Sequence, residues 1–302
     1  MGMTKRMWVL GALLGVLLLL GACGGGEEAF DLSVETTDYA FQNVPAEVPA
    51  GLVEITLDNQ GEVAHEFALV EIGDTPLDQF FIDFAPAISE GGPFPEYVGA
   101  VMVPIEVGGG ESATTSFTVT EGTYAVFCAL TGDAAGTPAE GEEEAEGPPH
   151  FTLGMAQTIV VGPGEADAAL AEADGTLTAT DYAFEADIED GDSVINFTND
   201  GPNEVHFASV SVFPEGTTAE DAEAAFAALL EAPEDAPPPE GVALPEDIAF
   251  SGIASEGLGV QFEVPGGFES GRTYIFTCFI SDRAGGPPHA IAYQMYEAFT
   301  VD

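Results

Sequence analysis

A chain of 302 residues is long enough for two domains of ordinary size, each able to bury a core without disulfides or structural metal. Its 53 acidic residues face only four basic ones, a formal charge of −49, which excludes nucleic acid and bare anionic membrane surfaces as partners. The carboxylates read as a solvated surface suited to high salt, where counterions screen self-repulsion, and salt bridges can contribute little.

At the N-terminus, Lys5 and Arg6 precede an apolar run over 7–20 that is short for a membrane span, and Gly21-Ala22-Cys23 closes it. Leu20-Gly21-Ala22-Cys23 resembles the bacterial lipobox. The resemblance implies a signal peptide over 1–22, lipid on Cys23, a flexible tether over 23–28 and an extracytoplasmic protein held to a membrane by that lipid.

Past the tether the chain repeats itself. Thr37-Asp38-Tyr39-Ala40-Phe41 returns as Thr180-Asp181-Tyr182-Ala183-Phe184. In both copies a strand with alternating apolar residues follows (Val53, Ile55, Leu57; Val194 with Ile195, then Phe197), then a polar turn with Asn and Gly, then a histidine, His65 or His206. A helix comes next. Thr75 with Pro76 at the first helical position and Asp78 predicts one start, and Thr218 with Asp221 the other. Phe80, Phe81 and Phe84, and Phe226, Leu229 and Leu230, supply the apolar faces. Gly91-Gly92-Pro93 and Pro237-Pro238-Pro239 predict the ends.

Strands over 115–119 and 259–264 follow, then Gly122, Tyr124 and Cys128 in one copy and Gly271, Tyr274 and Cys278 in the other. Gly147-Pro148-Pro149-His150 recurs as Gly286-Pro287-Pro288-His289, and strands over 158–161 and 298–301 close the copies. The pattern predicts an all-β chain: domain 1 at 29–163, a linker rich in Ala, Glu and Gly at 164–174, and domain 2 at 175–302. Each is expected to be an antiparallel Greek-key β-sandwich with one inserted helix.

Every histidine belongs to one of the two matching sets, and Cys23 is the single cysteine outside them. His65 after a long strand, Cys128 at the end of a late one, His150 beyond it and Met155 before the last strand resemble the type 1 copper site of the cupredoxins. The ending His150, Gly154, Met155 is similar to the closure of rusticyanin-like and sulfocyanin-like members. The resemblance implies copper, with His65, Cys128 and His150 as equatorial ligands and Met155 as a weak axial one. A thiolate, two imidazoles and a distant thioether suit both copper oxidation states. Domain 2 matches with His206, Cys278 and His289. Its Met295 lies six residues past the histidine and Gln294 five, so either is the axial candidate there.

The stretches from Cys128 to His150 and from Cys278 to His289 are longer than in familiar type 1 sites, which predicts looser clamping of the second histidine. Taken singly, each histidine is also compatible with a hydrogen-bonded core residue, each methionine with a gap filler, and the two cysteines with buried thiols or one interdomain disulfide. Met102 reads as core.

Two functions follow as expectations: a lipid-anchored copper-binding and electron-transfer protein, or a cupredoxin-like binding or scaffold module whose sites are degenerate. A redox partner would present a neutral or basic patch to an exposed histidine edge. With all four histidines committed and no hydrolase or P-loop motif present, no enzymatic activity is expected.

Overall fold

The computed structural model describes residues 29–132, 147–165, 168–233 and 242–302. The leader with Cys23, residues 133–146 of the stretch from Cys128 to His150, and Pro237-Pro238-Pro239 lie outside the described residues.

Domain 1 opens with β1 (Phe30–Thr37), β2 (Ala40–Gln42), β3 (Glu47–Pro49), β4 (Gly51–Asn59) and β5 (His65–Glu71). The helix α1 (Leu77–Glu90) leads into β6 (Val101–Val107), β7 (Ser112–Val119) and β8 (Gly122–Phe127). A 3₁₀ turn (His150–Leu153) precedes β9 (Ala156–Gly162). Domain 2 repeats the plan with β10 (Gly175–Thr180), β11 (Ala183–Asp187), β12 (Val194–Asn199), β13 (Ser209–Val212) and α2 (Ala219–Glu231). It continues through β14 (Glu246–Phe250), β15 (Ile253–Ala254), β16 (Gly259–Glu263) and β17 (Thr273–Thr277) to the short α3 (His289–Ala292) and β18 (Tyr296–Thr300).

Period-2 alternation builds the layers. Along β4, Val53, Ile55 and Leu57 point inward and are fully buried, and they meet Phe67 and Leu69 of β5, Val126 of β8 and Ile159 of β9 from the facing sheet. The helix α1 covers the outer face of that second sheet, and α2 covers its counterpart in domain 2. Phe80 and Phe84 of α1 pack on Val70 and Phe127, and Phe226 of α2 on Phe213 and Ile275. Most strand pairs are antiparallel. β1 with β4, β10 with β12 and β3 with β9 run parallel, because a crossover rather than a hairpin joins each pair.

The two copies share their sheets. β16 of domain 2 pairs with β7 of domain 1, giving one eight-stranded sheet in the order β11-β10-β12-β16-β7-β4-β1-β2. β15 leaves its own domain to pair with β6, on the edge of the six-stranded sheet β15-β6-β5-β8-β9-β3. Domain 2 keeps a four-stranded sheet, β14-β13-β17-β18. Met102, fully buried, lies at this seam as core.

Two helix boundaries differ from the sequence expectation. Pro76, not Thr75, caps α1, and no side chain bonds the cap, because the proline ring carries no acceptor. The α2 start is as expected, with the Thr218 hydroxyl accepting from the Asp221 N–H. Its end is earlier than the triple proline: Pro233 forces Ala232 into extended backbone (φ −68°, ψ 144°), and the helix stops at Glu231. Gly91 in the left-handed region ends α1. Among the described residues no helix is long and apolar enough to cross a membrane.

Candidate metal centres

Antiparallel pairing of β5 with β8 sets Ala68 opposite Phe127, so His65 at the start of β5 and Cys128 just past β8 share one end of the sheet. The Glu66 N–H donates to the Cys128 sulfur at 3.4 Å, and a Leu130 N–H also points at it. The segment just after Cys128 lies beside the segment that leads into His150. A β-bridge joins Thr131 to Pro149, the His150 N–H donates to the Leu130 carbonyl at 2.9 Å, and the Phe151 N–H donates to the Cys128 carbonyl at 2.9 Å. Gly147 and Gly132 cross so closely that a Cβ on Gly147 would lie 2.6 Å from the Gly132 Cα. The long stretch is thus closed at its base, and the looser clamping expected from its length does not apply to His150.

The second copy is built alike. Ser281 bridges Pro288, the His289 N–H donates to the Ile280 carbonyl at 2.8 Å, and the Ala290 N–H donates to the Cys278 carbonyl at 2.8 Å. N–H groups of Phe207 and Ile280 point at the Cys278 sulfur.

Each copy therefore gathers a thiol and two imidazoles: His65, Cys128 and His150 in one, His206, Cys278 and His289 in the other, all buried. In the first, Nδ1 of His65 and Nδ1 of His150 are 3.2 Å apart, and the Cys128 sulfur lies 3.9 Å from the former and 3.4 Å from the latter. A point equidistant from the three atoms sits about 2 Å from each, the range of metal–nitrogen and metal–thiolate bonds. In the second, the Cys278 sulfur is 3.8 Å from Nδ1 of His206 and 3.6 Å from Nδ1 of His289. Both cysteines are free, each facing its own histidine pair, which rules out a disulfide between them.

For the second histidine of each set, an outer partner fixes which nitrogen faces inward. Nε2 of His150 lies 2.9 Å from the Gly132 carbonyl and Nε2 of His289 3.1 Å from an Asp282 carboxylate oxygen. Both oxygens only accept, so each Nε2 carries the proton and each Nδ1 turns its lone pair to the centre. Asp282 is itself held by the hydroxyls of Tyr182 (3.0 Å) and Tyr293 (2.6 Å). Burial, then the neighbouring His150, lowers the His65 pKa to about 4; burial, then His289, lowers that of His206 to about 4. Burial above all pushes the Cys128 thiol up to about 12 and the Cys278 thiol to about 11. Two neutral imidazoles and a thiol whose charge is unfavourable without a counter-charge are a donor set that a soft cation fits.

The methionines fall into equivalent places despite their unequal spacing. The Met155 N–H donates to the His150 carbonyl and its carbonyl accepts from the Cys128 N–H; Met295 makes the same two bonds with His289 and Cys278. The 3₁₀ turn after His150 needs one residue fewer than the α turn after His289, which absorbs the difference. Gln294 is exposed at a left-handed φ of 57°, where domain 1 has Gly154. Met155 and Met295 are fully buried.

Two residue pairs belong to the sites that the motif reading did not assign to them. Asn59 and Asn199, at the ends of β4 and β12, are buried. Asn59 donates to the Val63 carbonyl (2.7 Å) and the Gly108 carbonyl (3.0 Å), and Asn199 to those of Glu204 (2.9 Å) and Ala254 (2.8 Å). Each thereby holds the loop that delivers the first histidine. The matching position of both asparagines in the repeat was the available signal. Replacing Asn199 by Ala leaves the Glu204 carbonyl and the Gly201 N–H without their side-chain partner and is expected to cost about 2–3 kcal/mol, read by chemical denaturation.

Tyr39 and Tyr182, the aromatic members of the repeated pentapeptide, stand edge-on over the histidines, 4.9 Å from the ring of His150 and 5.1 Å from that of His289. Both hold positive φ, 61° and 63°. Under this cover all four histidines are at most 1% exposed. The histidine edge expected to face a partner is therefore absent.

Beside the cysteine the two copies also differ. Glu66, whose carboxylate accepts from the Ala129 N–H at 2.7 Å beside Cys128, is replaced in domain 2 by Phe207. Burial first, with Glu106 adding repulsion, raises its pKa to about 7.

No family model matches the chain, and no curated relative matches it. Among solved structures, auracyanin B is similar at 23% identity over 45% of this chain and 90% of its own, with a TM-score of 0.31. A dithionite-reduced auracyanin from Roseiflexus castenholzii is similar at 21% identity over 45% of this chain and 98% of its own, with a TM-score of 0.28. The copper nitrite reductase from Nitrosomonas europaea is similar at 13% identity over 91% of this chain and 94% of its own, with a TM-score of 0.24.

Proposed function

We propose that this chain is an exported copper-binding electron-transfer protein, anchored by lipid at Cys23, with a type 1 site in each domain. The observation that carries the reading is the convergence, twice in one chain, of a buried cysteine sulfur and two histidine Nδ1 atoms. His65, Cys128 and His150 would hold one copper, with Met155 as a further ligand. His206, Cys278 and His289 would hold the other with Met295, which shares the backbone bonds of Met155 where Gln294 faces solvent. Copper, when bound, supplies a one-electron couple.

What the protein supplies is fixity. His150 and His289 are oriented from outside by Gly132 and Asp282, the sulfurs receive backbone N–H groups, and the ligand loops are bridged at their bases. Little need rearrange between oxidation states. All four histidines are used, leaving none for a further, catalytic centre, so the chain is read as a carrier; turnover of nitrite or of a phenol by the loaded protein would overturn that part. The acidic surface favours a partner protein with a neutral or basic patch, meeting the residues that cover the histidines.

The test is a visible and electron-paramagnetic spectrum of the leaderless chain reconstituted with Cu(II), with metal counted per chain. An intense thiolate-to-copper band with narrow copper hyperfine splitting is expected. Uptake without that band refutes the type 1 assignment, and absence of uptake leaves the chain a metal-free cupredoxin-like module.

A further inference from the structure

We infer that Arg283 is the positioning residue of the second centre and that domain 1 is the wall it works against, so that this site is built across the domain boundary. The inference rests on reading His206, Cys278 and His289 as ligands. Arg283 lies midway along the loop from Cys278 to His289. Its guanidinium donates to the carbonyls of Val98 (3.3 Å) and Gly99 (2.9 Å) in domain 1, and to the Ser255 hydroxyl (3.0 Å) and the Asn203 carbonyl (3.0 Å) in domain 2. Its own N–H donates to the Glu204 carboxylate at 2.7 Å, and its carbonyl accepts from the Phe94 N–H at 2.8 Å. The charge also lies 5.4 Å from the centre of the Phe94 ring.

Asn203 and Glu204 stand just ahead of His206. One side chain therefore ties together the loop carrying Cys278 and His289, the loop carrying His206, and the α1–β6 connection of domain 1. A second contact points the same way. The Gly286 N–H donates to the Gly91 carbonyl at 3.2 Å. Gly285, at φ +77°, runs so close that a Cβ there would lie 2.9 Å from the Pro93 nitrogen and 3.1 Å from the Gly91 oxygen. The second histidines are held from within their own loops, His150 by Gly132 and His289 by Asp282, so what Arg283 fixes is the loop and not the ring.

A guanidinium suits this task because its donors lie in one rigid plane and reach several fixed oxygens at once; an ammonium on a flexible stem does not. Coupling follows from the geometry. If domain 1 holds the loop in the shape that binds a cation, then by reciprocity a cation bound there tightens the contact between the domains.

The experiment uses the full leaderless chain carrying Cys128→Ser, so that Cu(II) enters the second centre alone, with Arg283→Gln, Arg283→Lys or, on the domain 1 side, Phe94→Ala added. Arg283→Gln is expected to weaken Cu(II) binding about 10- to 100-fold in chelator competition and to shift the thiolate-to-copper band. Arg283→Lys should recover only part of the loss, and Phe94→Ala should move the band in the same direction by less. In the Cys278→Ser background the first centre should be unaffected by Arg283→Gln.

Metal-free protein gives an independent readout: Arg283→Gln should speed hydrogen exchange over residues 279–288 with the far-ultraviolet spectrum unchanged. Unchanged exchange together with unchanged affinity and band overturns the inference, as does an equal loss at both centres. Should the parent chain take up no Cu(II), the ligand reading falls, and the exchange result alone decides whether Arg283 holds the loop.

Discussion

Cys128→Ser and Cys278→Ser are each expected to remove one of two bound copper ions per chain and about half of the blue absorbance, and the double variant to remove both. Sulfur is the donor that cannot be replaced here. A serine hydroxyl has nearly the same shape and can keep the backbone N–H bonds, so the sandwich stays folded. Its oxygen, however, is a hard donor that stays protonated where a thiolate would form, and the short sulfur–copper bond is the origin of the band. The thiols are pushed up to about 12 and 11 by burial, so a bound cation has to displace a tightly held proton. The halves need not be identical. Glu66 places a carboxylate beside Cys128 where Phe207 places a ring near Cys278, so the two single variants should leave bands that differ in position. Metal analysis and spectra of the two single variants check both points. Copper uptake undiminished in the double variant would mean that the histidines or surface carboxylates bind it instead.

The duplication is what made so much of this legible in advance. Paired positions let weak signals support each other, and His65, Cys128 and His150 do converge in space, as do His206, Cys278 and His289. What stayed hidden depends on three-dimensional closure. Loop length in residues said nothing of the bridge between Thr131 and Pro149 that shortens the first ligand loop at its base. Which of Gln294 and Met295 takes the backbone place of Met155 depends on whether the residues after the histidine form a 3₁₀ or an α turn, a difference that no composition signals. Ile253 and Ala254 form a two-residue strand, too short to show alternation, and nothing in them indicates that they pair with the other domain. Tyr39 and Tyr182 were visible as markers of repetition, while their place over the histidines required the positive φ that the structure reveals.

Lowering the ionic strength is expected to destabilise the fold substantially. The formal charge of −49 has almost nothing to balance it. Among the described residues Arg272 pairs with Glu269 in an exposed contact, and Arg283 spends its guanidinium on carbonyls and a hydroxyl. Like charges even face each other across a ladder, Glu66 opposite Glu106 in the β5–β6 pair, and burial raises the pKa of both. At about 1 M salt the screening length is about 3 Å and such repulsions act only at contact; at about 0.01 M it is about 30 Å and carboxylates across a whole domain repel one another. The unfolded chain relieves this by expanding, so the folded state loses most. A fall in thermal midpoint of about 10 °C between those limits corresponds to about 3 kcal/mol for domains of this size. Salts that also strengthen apolar burial would raise the midpoint steadily with concentration, whereas screening gives a steep rise at low salt that then flattens. A midpoint that stays level from dilute buffer upward would mean that the carboxylates are neutralised within the fold, by raised pKa values or bound cations, instead of by the solvent.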